Sequence, residues 1–181
     1  MIKALSLEWQ KAPAWLQNTL LVLGSSILLG LFAHFAIPLQ PVPIATQPTL
    51  VLLLGVLLGS KRAPAAVAAF LAQGAIGLPV FANGLAGPAV LFGPRGGYLF
   101  GYLIAAYLVG KITERFPNKK LLTAFLAMVA GNIVLYIMGA SWLSTFLGPQ
   151  KAIALGVAPF VFFDLVKIVA SIQFLRWRGW S

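Results

Sequence analysis

Residues 74–101 read GAIGLPVFANGLAGPAVLFGPRGGYLFG. Eight of these twenty-eight residues are Gly and three are Pro, yet between them stand Ile, Leu, Val and Phe instead of the Ser, Gln and Lys of a flexible linker. The pattern is that of an ordered loop entering a membrane helix. Its apolar side chains need burial, its glycines let backbone groups come close to a ligand, and its prolines reduce the entropy lost on ordering. Asn83 and Arg95 stand within it. An amide that both donates and accepts, and a fixed cation, in an apolar loop point to recognition of a small polar molecule. The competing reading is a Gly/Pro connector whose Arg95 faces lipid headgroups, and local sequence leaves the two level.

The whole chain supports the membrane setting. It has 181 residues, 60% hydrophobic and only 9% charged, with a mean hydropathy of +0.94, against roughly 25% charged for an ordinary soluble domain. The expected class is therefore an all-α integral membrane protein. A formal net charge of +10 could suggest nucleic acid. The basic residues, however, lie mostly in short segments between long apolar runs, which is a membrane topology signal, so no nucleic-acid partner is expected. Cys is absent and His occurs once, which excludes thiolate chemistry and a multi-histidine metal site. The carboxylates are Glu8, Glu114 and Asp164, and only Asp164 falls within a predicted span, so a paired-carboxylate acid/base centre in the membrane is excluded. No catalytic residue, cofactor or metal is expected.

Working outward from the loop, the apolar runs predict six transmembrane helices. Residues 1–17 carry Lys3, Glu8, Trp9, Lys11 and Trp15 among aliphatics and suit an amphipathic segment on the bilayer interface. The first span is expected over residues 19–37, longer than a signal-peptide core and followed by further spans. Pro38, Pro41 and Pro43 break it. A short second span covers 44–58, the Gly59-Ser60-Lys61-Arg62 turn follows, and the third runs over 64–78 with Pro64 in its first turn. The fourth, fifth and sixth spans are expected over 97–112, 121–142 and 151–177, with a basic turn around Pro117 and a Gly148-Pro149 connection. The run GVLLGSK, residues 55–61, superficially resembles a phosphate loop, but its glycine spacing is wrong and Ser precedes Lys. No internal repeat or linker divides the chain, so residues 1–181 are expected to form one domain.

With the N-terminus inside, ten of the thirteen Lys and Arg residues fall on cytoplasmic segments. Arg95 and Lys151 face the other side, and Lys167 lies inside a span. Both termini are thus expected in the cytoplasm. Loops 38–47, 79–96 and 143–150 then lie outside, with 79–96 as a lid over a binding site.

The last span holds Asp164 and Lys167 in PFVFFDLVKIVAS. A charge at bilayer depth costs about 2.5–3.5 kcal/mol on insertion scales, so two such residues must be paired or occupied. At i and i+3 they share a helix face. They either neutralise each other to hold the bundle together, or Lys167 meets an anionic substrate group while Asp164 accepts from substrate N–H groups or orients Lys167. Intramembrane ionisable residues in transporters favour the second. Asn132 and Tyr136, four apart in GNIVLY, share a face of the fifth span. Taken alone they read as a helix–helix tie, worth about 0.6 kcal/mol. Gln47, beside the proline-stiffened first loop, poses the Asn83 question in weaker form, with a helix N-terminal polar residue as the level alternative. His34 reads as an interface residue, and Tyr98 and Trp142 as belt aromatics. Gly24, Ser25, Ser26 and Gly30 of the first span form a small-residue patch, suited equally to internal packing and to a second subunit.

The runs PVPIATQPTLVLLLGVLLGSKRA, GAIGLPVFANGLAG, LFGPRGGYLFGYLIAAYLVG, GNIVLYIMGASWL and PFVFFDLVKIVAS resemble, in order and spacing, the BioY family, the biotin-binding substrate (S) components of energy-coupling-factor transporters. The resemblance spans roughly residues 19–175. It departs at Ile44-Ala45-Thr46-Gln47, where Ile-Thr before a hydrophobic residue and Gln is expected, and at His34, where Gln is expected. It implies a six-helix S-component fold, biotin bound beneath the outer loops, and a complex with a membrane coupling subunit and two ATPase subunits in the plasma membrane of a prokaryote. It also implies ligand contacts from Asn83, Arg95, Asp164 and Lys167, and from Tyr98, Asn132 and Tyr136. The residues fit biotin in their own right. A ureido ring matches Asn and Asp, a thiophane ring matches Phe, Leu and Tyr walls, and a valerate matches Lys167 or Arg95. The alternatives are an S component for another small vitamin and a membrane assembly protein that binds no ligand.

Overall fold

The computed structural model describes residues 13–37, 41–116 and 120–180. Most of the interfacial segment expected at 1–17, the break at Pro38 and the basic turn around Pro117 lie outside them. Pro13, extended at φ −60° and ψ 144°, starts helix α1 over Ala14–Ala33, five residues before the expected start. The last turn expected of that span is absent. Ala36–Ile37 forms strand β1 and pairs antiparallel with strand β2, Ile44–Ala45. The sequence explains the change, because Ile37 precedes Pro38 and is biased toward extended backbone.

Helix α2, Gln47–Ala75, holds the second and third expected spans in one hydrogen-bonded run broken at Gly59 (φ 79°, ψ −177°). The four-residue turn expected at 59–62 thus contracts to a single glycine. Two glutamines show that the run folds back there. Gln47 Nε2 donates to Leu29 O at 3.2 Å and Gln73 Nε2 donates to Ser26 Oγ at 3.0 Å, contacts one turn apart on α1. In a straight helix, residues 47 and 73 would stand about 39 Å apart. The two arms therefore run side by side. At the reversal, Glu114 caps the second arm by accepting from Ser60 N and Ser60 Oγ, both at 2.7 Å. A Schellman end closes that arm, with Gly77 at φ 104° and Leu78 N donating to Gln73 O at 3.1 Å.

After the loop come a 3₁₀ turn at Ala82–Gly84 and the short helix α3, Pro88–Phe92. Helix α4, Gly96–Arg115, is central and packs against both α2 and helix α5, Lys120–Leu147. Small residues set these distances. A Cβ at Gly110 would overlap the backbone of Gly59 and Ser60, and one at Gly131 would meet Leu52 and Val109 at 2.6 Å. The sixth expected span is two helices, α6 (Pro149–Gly156) and α7 (Ala158–Trp177), parted at Val157 (φ −125°, ψ −59°). Pro159 causes the break, because it has no N–H for the carbonyl four residues back.

Among the described residues four helical stretches are long and apolar enough to cross a membrane, Ala14–Ala33, Gln47–Ala75, Lys120–Leu147 and Pro149–Trp177. Their outward faces expose Ile27, Leu31, Ile133, Ile137, Phe162 and Val166, a surface suited to lipid. The small-residue patch divides. Ser26 is fully buried and Gly30 packs on Val80, whereas nothing lies near Gly24. Polar ties accompany the inward half, so its packing is internal.

Gly59 sits where only glycine is comfortable, and a Cβ there would overlap the Glu114 carboxylate. Gly59→Ala is therefore expected to destabilise the fold by about 1–3 kcal/mol, read as a lowered thermal unfolding midpoint in detergent. An unchanged midpoint would mean that the reversal does not depend on this conformation.

Candidate functional site

A cleft opens where the β1–β2 hairpin and the loop after α2 meet α4, α5 and α7. Its free volume is about 60 Å³, within a hollow of about 700 Å³ that includes the open mouth. Tyr98, Leu99 and Tyr102 of α4, Leu135 of α5 and Phe160 of α7 give it aromatic and aliphatic walls. Its polar groups are few and convergent, as in small-molecule sites. Asn132 and Tyr136 come from α5, Asp164 from α7, Arg95 from the start of α4 and Gln47 from the start of α2.

At the centre, Asp164 is only 4% exposed. Its Oδ1 lies 2.6 Å from Lys167 Nζ, and its Oδ2 accepts from Tyr136 O–H at 2.8 Å. Lys167 also donates to Ala45 O at 2.9 Å. A buried ion pair is tolerated only when further hydrogen bonds satisfy it. Here those bonds come from α5 and from β2, so the pair joins three distant parts of the chain. Burying a charge sets the requirement, and the fold meets it by drawing the first loop onto α7.

Two glycine slots hold the cleft's other side. The Tyr98 ring lies against Gly139 and Gly156, where any Cβ would collide with it, and its hydroxyl donates to Gly156 O at 2.6 Å. That carbonyl is at the break before α7, so Tyr98 pins the helix end carrying Phe160. Trp142 covers Gly96 and Gly97, and its Nε1 donates to Gly93 O at 2.9 Å. It thereby fixes the backbone on either side of Arg95. Arg95 Nε donates to Pro41 O at 3.1 Å, linking the two loops, while its buried Nη1 has no partner among the described residues. Desolvation lowers the Arg95 pKa, yet a guanidinium stays charged in proteins. It is a fixed cation whose buried Nη1 is unengaged among the described residues.

The loop itself is closed down by Phe81, which is 1% exposed. Its ring lies across Gly74, where a Cβ would overlap it, and meets Phe70 edge-on at 5.5 Å. Gly87 N donates to Gly74 O at 2.8 Å. Asn83 stands apart from this. It is exposed at the loop's tip with φ 63°, next to Gly84 at φ 72°, and is not among the lining residues. Asn is the non-glycine residue that best tolerates this left-handed conformation.

Of the seven residues singled out as substrate contacts, Arg95, Tyr98, Asn132, Tyr136 and Asp164 line one cleft. Lys167 stands directly behind Asp164, and Asn83 lies outside. Phe81, Tyr102, Leu135 and Phe160 were not singled out. Tyr102 and Phe160 each lie four residues from a residue that was, on the same helix face as Tyr98 and Asp164, and that spacing could have found them.

These features define a class: a helical protein built for lipid surroundings, with an aromatic-walled cleft of few, convergent polar groups at the end where its loops gather. Comparison with known proteins gives the family. A model of the BioY family matches residues 4–179, and the chain belongs to that family. The chain is 42% identical over 146 residues to the biotin transporter BioY of Thermotoga maritima, covering 80% of this chain and 85% of that protein. It is 39% identical over 166 residues to the biotin transporter BioY of Rhodobacter capsulatus, covering 84% and 87%. Its fold matches the crystal structure of the S-component for biotin from an ECF-type ABC transporter, with a TM-score of 0.82 at 26% identity over 92% of this chain and 93% of that one. Transporter relatives and apolar helices together make this a multi-pass membrane protein.

Removing one partner of the buried pair strands the other charge. Lys167→Met is expected to cost about 3–5 kcal/mol, whereas Asp164→Asn combined with Lys167→Met stays near the parent protein. Thermal unfolding of the detergent-solubilised variants checks this, and equal losses in the single and double variants would show that the charges are not coupled.

Proposed function

We propose that this chain is the biotin-binding S component of an energy-coupling-factor transporter in the plasma membrane of a prokaryotic cell. Six spans cross the bilayer: α1, the two arms of α2, α4, α5 and the α6–α7 pair. They form a single domain. Both termini lie in the cytoplasm, because Lys61, Arg62, Lys111, Arg115, Lys120 and Arg176 gather at the end away from the cleft. Biotin enters from outside, between the hairpin and the 79–96 lid. Import then draws on ATP hydrolysed by two partner ATPases coupled through a membrane subunit. The chain itself is not an enzyme.

The observation that carries this reading is the charged, hydrogen-bonded centre inside an aromatic-walled cleft, in a chain whose family relatives are biotin transporters. The ureido ring faces Asp164, Asn132 and Tyr136, with Lys167 keeping Asp164 ionised and oriented. The thiophane ring lies against Tyr98 and Phe160. Sequence left open which cation takes the carboxylate, and hydrogen bonding favours Arg95. Lys167 is already engaged by Asp164 and Ala45 O, whereas Arg95 has its buried Nη1 free of partners. The free volume of about 60 Å³ is well below the roughly 300 Å³ and more of occupied ligand sites. Binding therefore requires the cleft to open further, by movement of the 79–96 loop that carries Asn83.

Calorimetric titration of ligand-free protein with biotin is expected to give tight one-to-one binding, and no binding by folded protein would reject the reading. Arg95→Gln is expected to weaken biotin about 10- to 100-fold while leaving its carboxamide analogue nearly unaffected. Equal weakening of both ligands would remove Arg95 from the carboxylate. For the lid, Asn83→Gly keeps the left-handed turn and deletes the amide. Weaker binding at an unchanged unfolding midpoint supports a ligand contact, and unchanged binding assigns Asn83 to the turn alone.

A further inference from the structure

Gln47 is 1% exposed and lines the cleft. A glutamine so deeply buried must have its amide satisfied at both ends or be costly to fold. Its nitrogen is accounted for, because Nε2 donates to Leu29 O at 3.2 Å. That bond also settles which way the amide faces. Leu29 O is an acceptor, so only the nitrogen can meet it, and a flipped amide would set oxygen against oxygen. The amide oxygen is thereby left for the cleft. Among the described residues no protein group donates to it, and it is not sealed from the cavity.

Its place in the cleft is the polar end. Gln47 is two residues from Ala45, whose carbonyl accepts from Lys167 at 2.9 Å, and Lys167 is paired with Asp164. The acceptors there are unevenly committed. Asp164 Oδ2 accepts from Tyr136, its Oδ1 faces the Lys167 ammonium as an ion pair but accepts no hydrogen bond among the described residues, and the Tyr98 hydroxyl donates to Gly156 O. A ligand bringing N–H donors to this end meets, in Gln47, a neutral acceptor held in a fixed direction.

We propose that Gln47 is a specificity-determining residue whose amide oxygen accepts an N–H of the ligand's cyclic urea. This rests on the biotin reading above and deepens it. Asp164 supplies the charge at that end, and Gln47 supplies discrimination against rings of the same shape that lack the N–H. Such discrimination is strong because an analogue without the donor leaves a buried acceptor unpaired. The simpler account is a helix tie, since Gln73 also joins α2 to α1, through Ser26 Oγ at 3.0 Å. Gln73 does not line the cleft, which makes it an internal control.

The experiment is calorimetric titration of the parent protein, Gln47→Met and Gln73→Met with biotin and with two analogues, each methylated on one ureido nitrogen. The parent protein is expected to bind biotin and to bind at least one analogue about tenfold or more weakly. Gln47→Met is expected to weaken biotin by a similar factor and to lose most of its discrimination against that analogue. Gln73→Met should keep the full discrimination, whatever it does to the unfolding midpoint. Retained discrimination in Gln47→Met, or its equal loss in both variants, overturns the proposal. If Gln47→Met does not fold, the parent protein still decides, because equal affinity for biotin and both analogues also overturns it. Failure of the parent protein to bind biotin at all is a different result and rejects the biotin reading itself.

Discussion

A carboxylate buried among phenylalanines cannot stand alone, and the site is built around meeting that condition for Asp164. Lys167 supplies the opposite charge from the next turn of α7. One turn of helix is not enough, because an ammonium and a carboxylate in low dielectric still have unsatisfied hydrogen-bonding capacity. Tyr136 of α5 and the Ala45 carbonyl of β2 fill it. The pair thus anchors three separate pieces of chain, and the first loop is held over the cleft by an electrostatic need that originates in α7. The polar centre of the cleft and the bond that holds one of its walls are the same group of atoms.

Glycine and aromatic residues do the complementary work. Where loops and helix ends come close around the cleft, an aromatic side chain occupies the space that a Cβ on a glycine would need. Phe81 lies on Gly74, Tyr98 on Gly139 and Gly156, and Trp142 on Gly96 and Gly97. Each contact joins a cleft wall to a different helix. Packing of this kind has no slack, since interiors fill space like crystals. Phe81 in its slot on α2 therefore fixes where the loop after that helix sits. The backbone beside Arg95 is held in the same way, by the Trp142 bond to Gly93 O. The orientation of the cleft's polar groups is thus set by the fold itself, a preorganisation that lowers the cost of binding.

Much of this was legible in the sequence, and particular residues show why. The membrane setting, the helix count and the ordered character of residues 74–101 follow from apolar runs punctuated by Gly and Pro, which act locally. So does the pairing of Asp164 with Lys167, since i and i+3 on a helix meet whatever the fold. Less legible was anything governed by a single backbone angle. The turn expected at 59–62 became one residue because Gly59 takes a conformation closed to other residues and Glu114, far along the chain, caps the arm beyond it. The expected last turn of the first span became a strand because it found a partner in Ile44–Ala45. The final span was read as continuous although Pro159 carried the signal for its break.

By itself, then, the sequence determined that the chain is helical and suited to a membrane, that residues 74–101 form an ordered loop entering a helix, and that Asp164 pairs with Lys167, because composition and short-range periodicity act without knowledge of the fold. Tertiary structure alone decided which of the polar residues share a cleft. It brought Arg95, Tyr98, Asn132, Tyr136 and Asp164 together with Gln47, and left Asn83 at the loop's exposed tip. It also decided which cation is already engaged and which has a donor to spare. Those facts depend on contacts between residues as far apart as Ala45 and Lys167, and no local pattern encodes a distance across the fold.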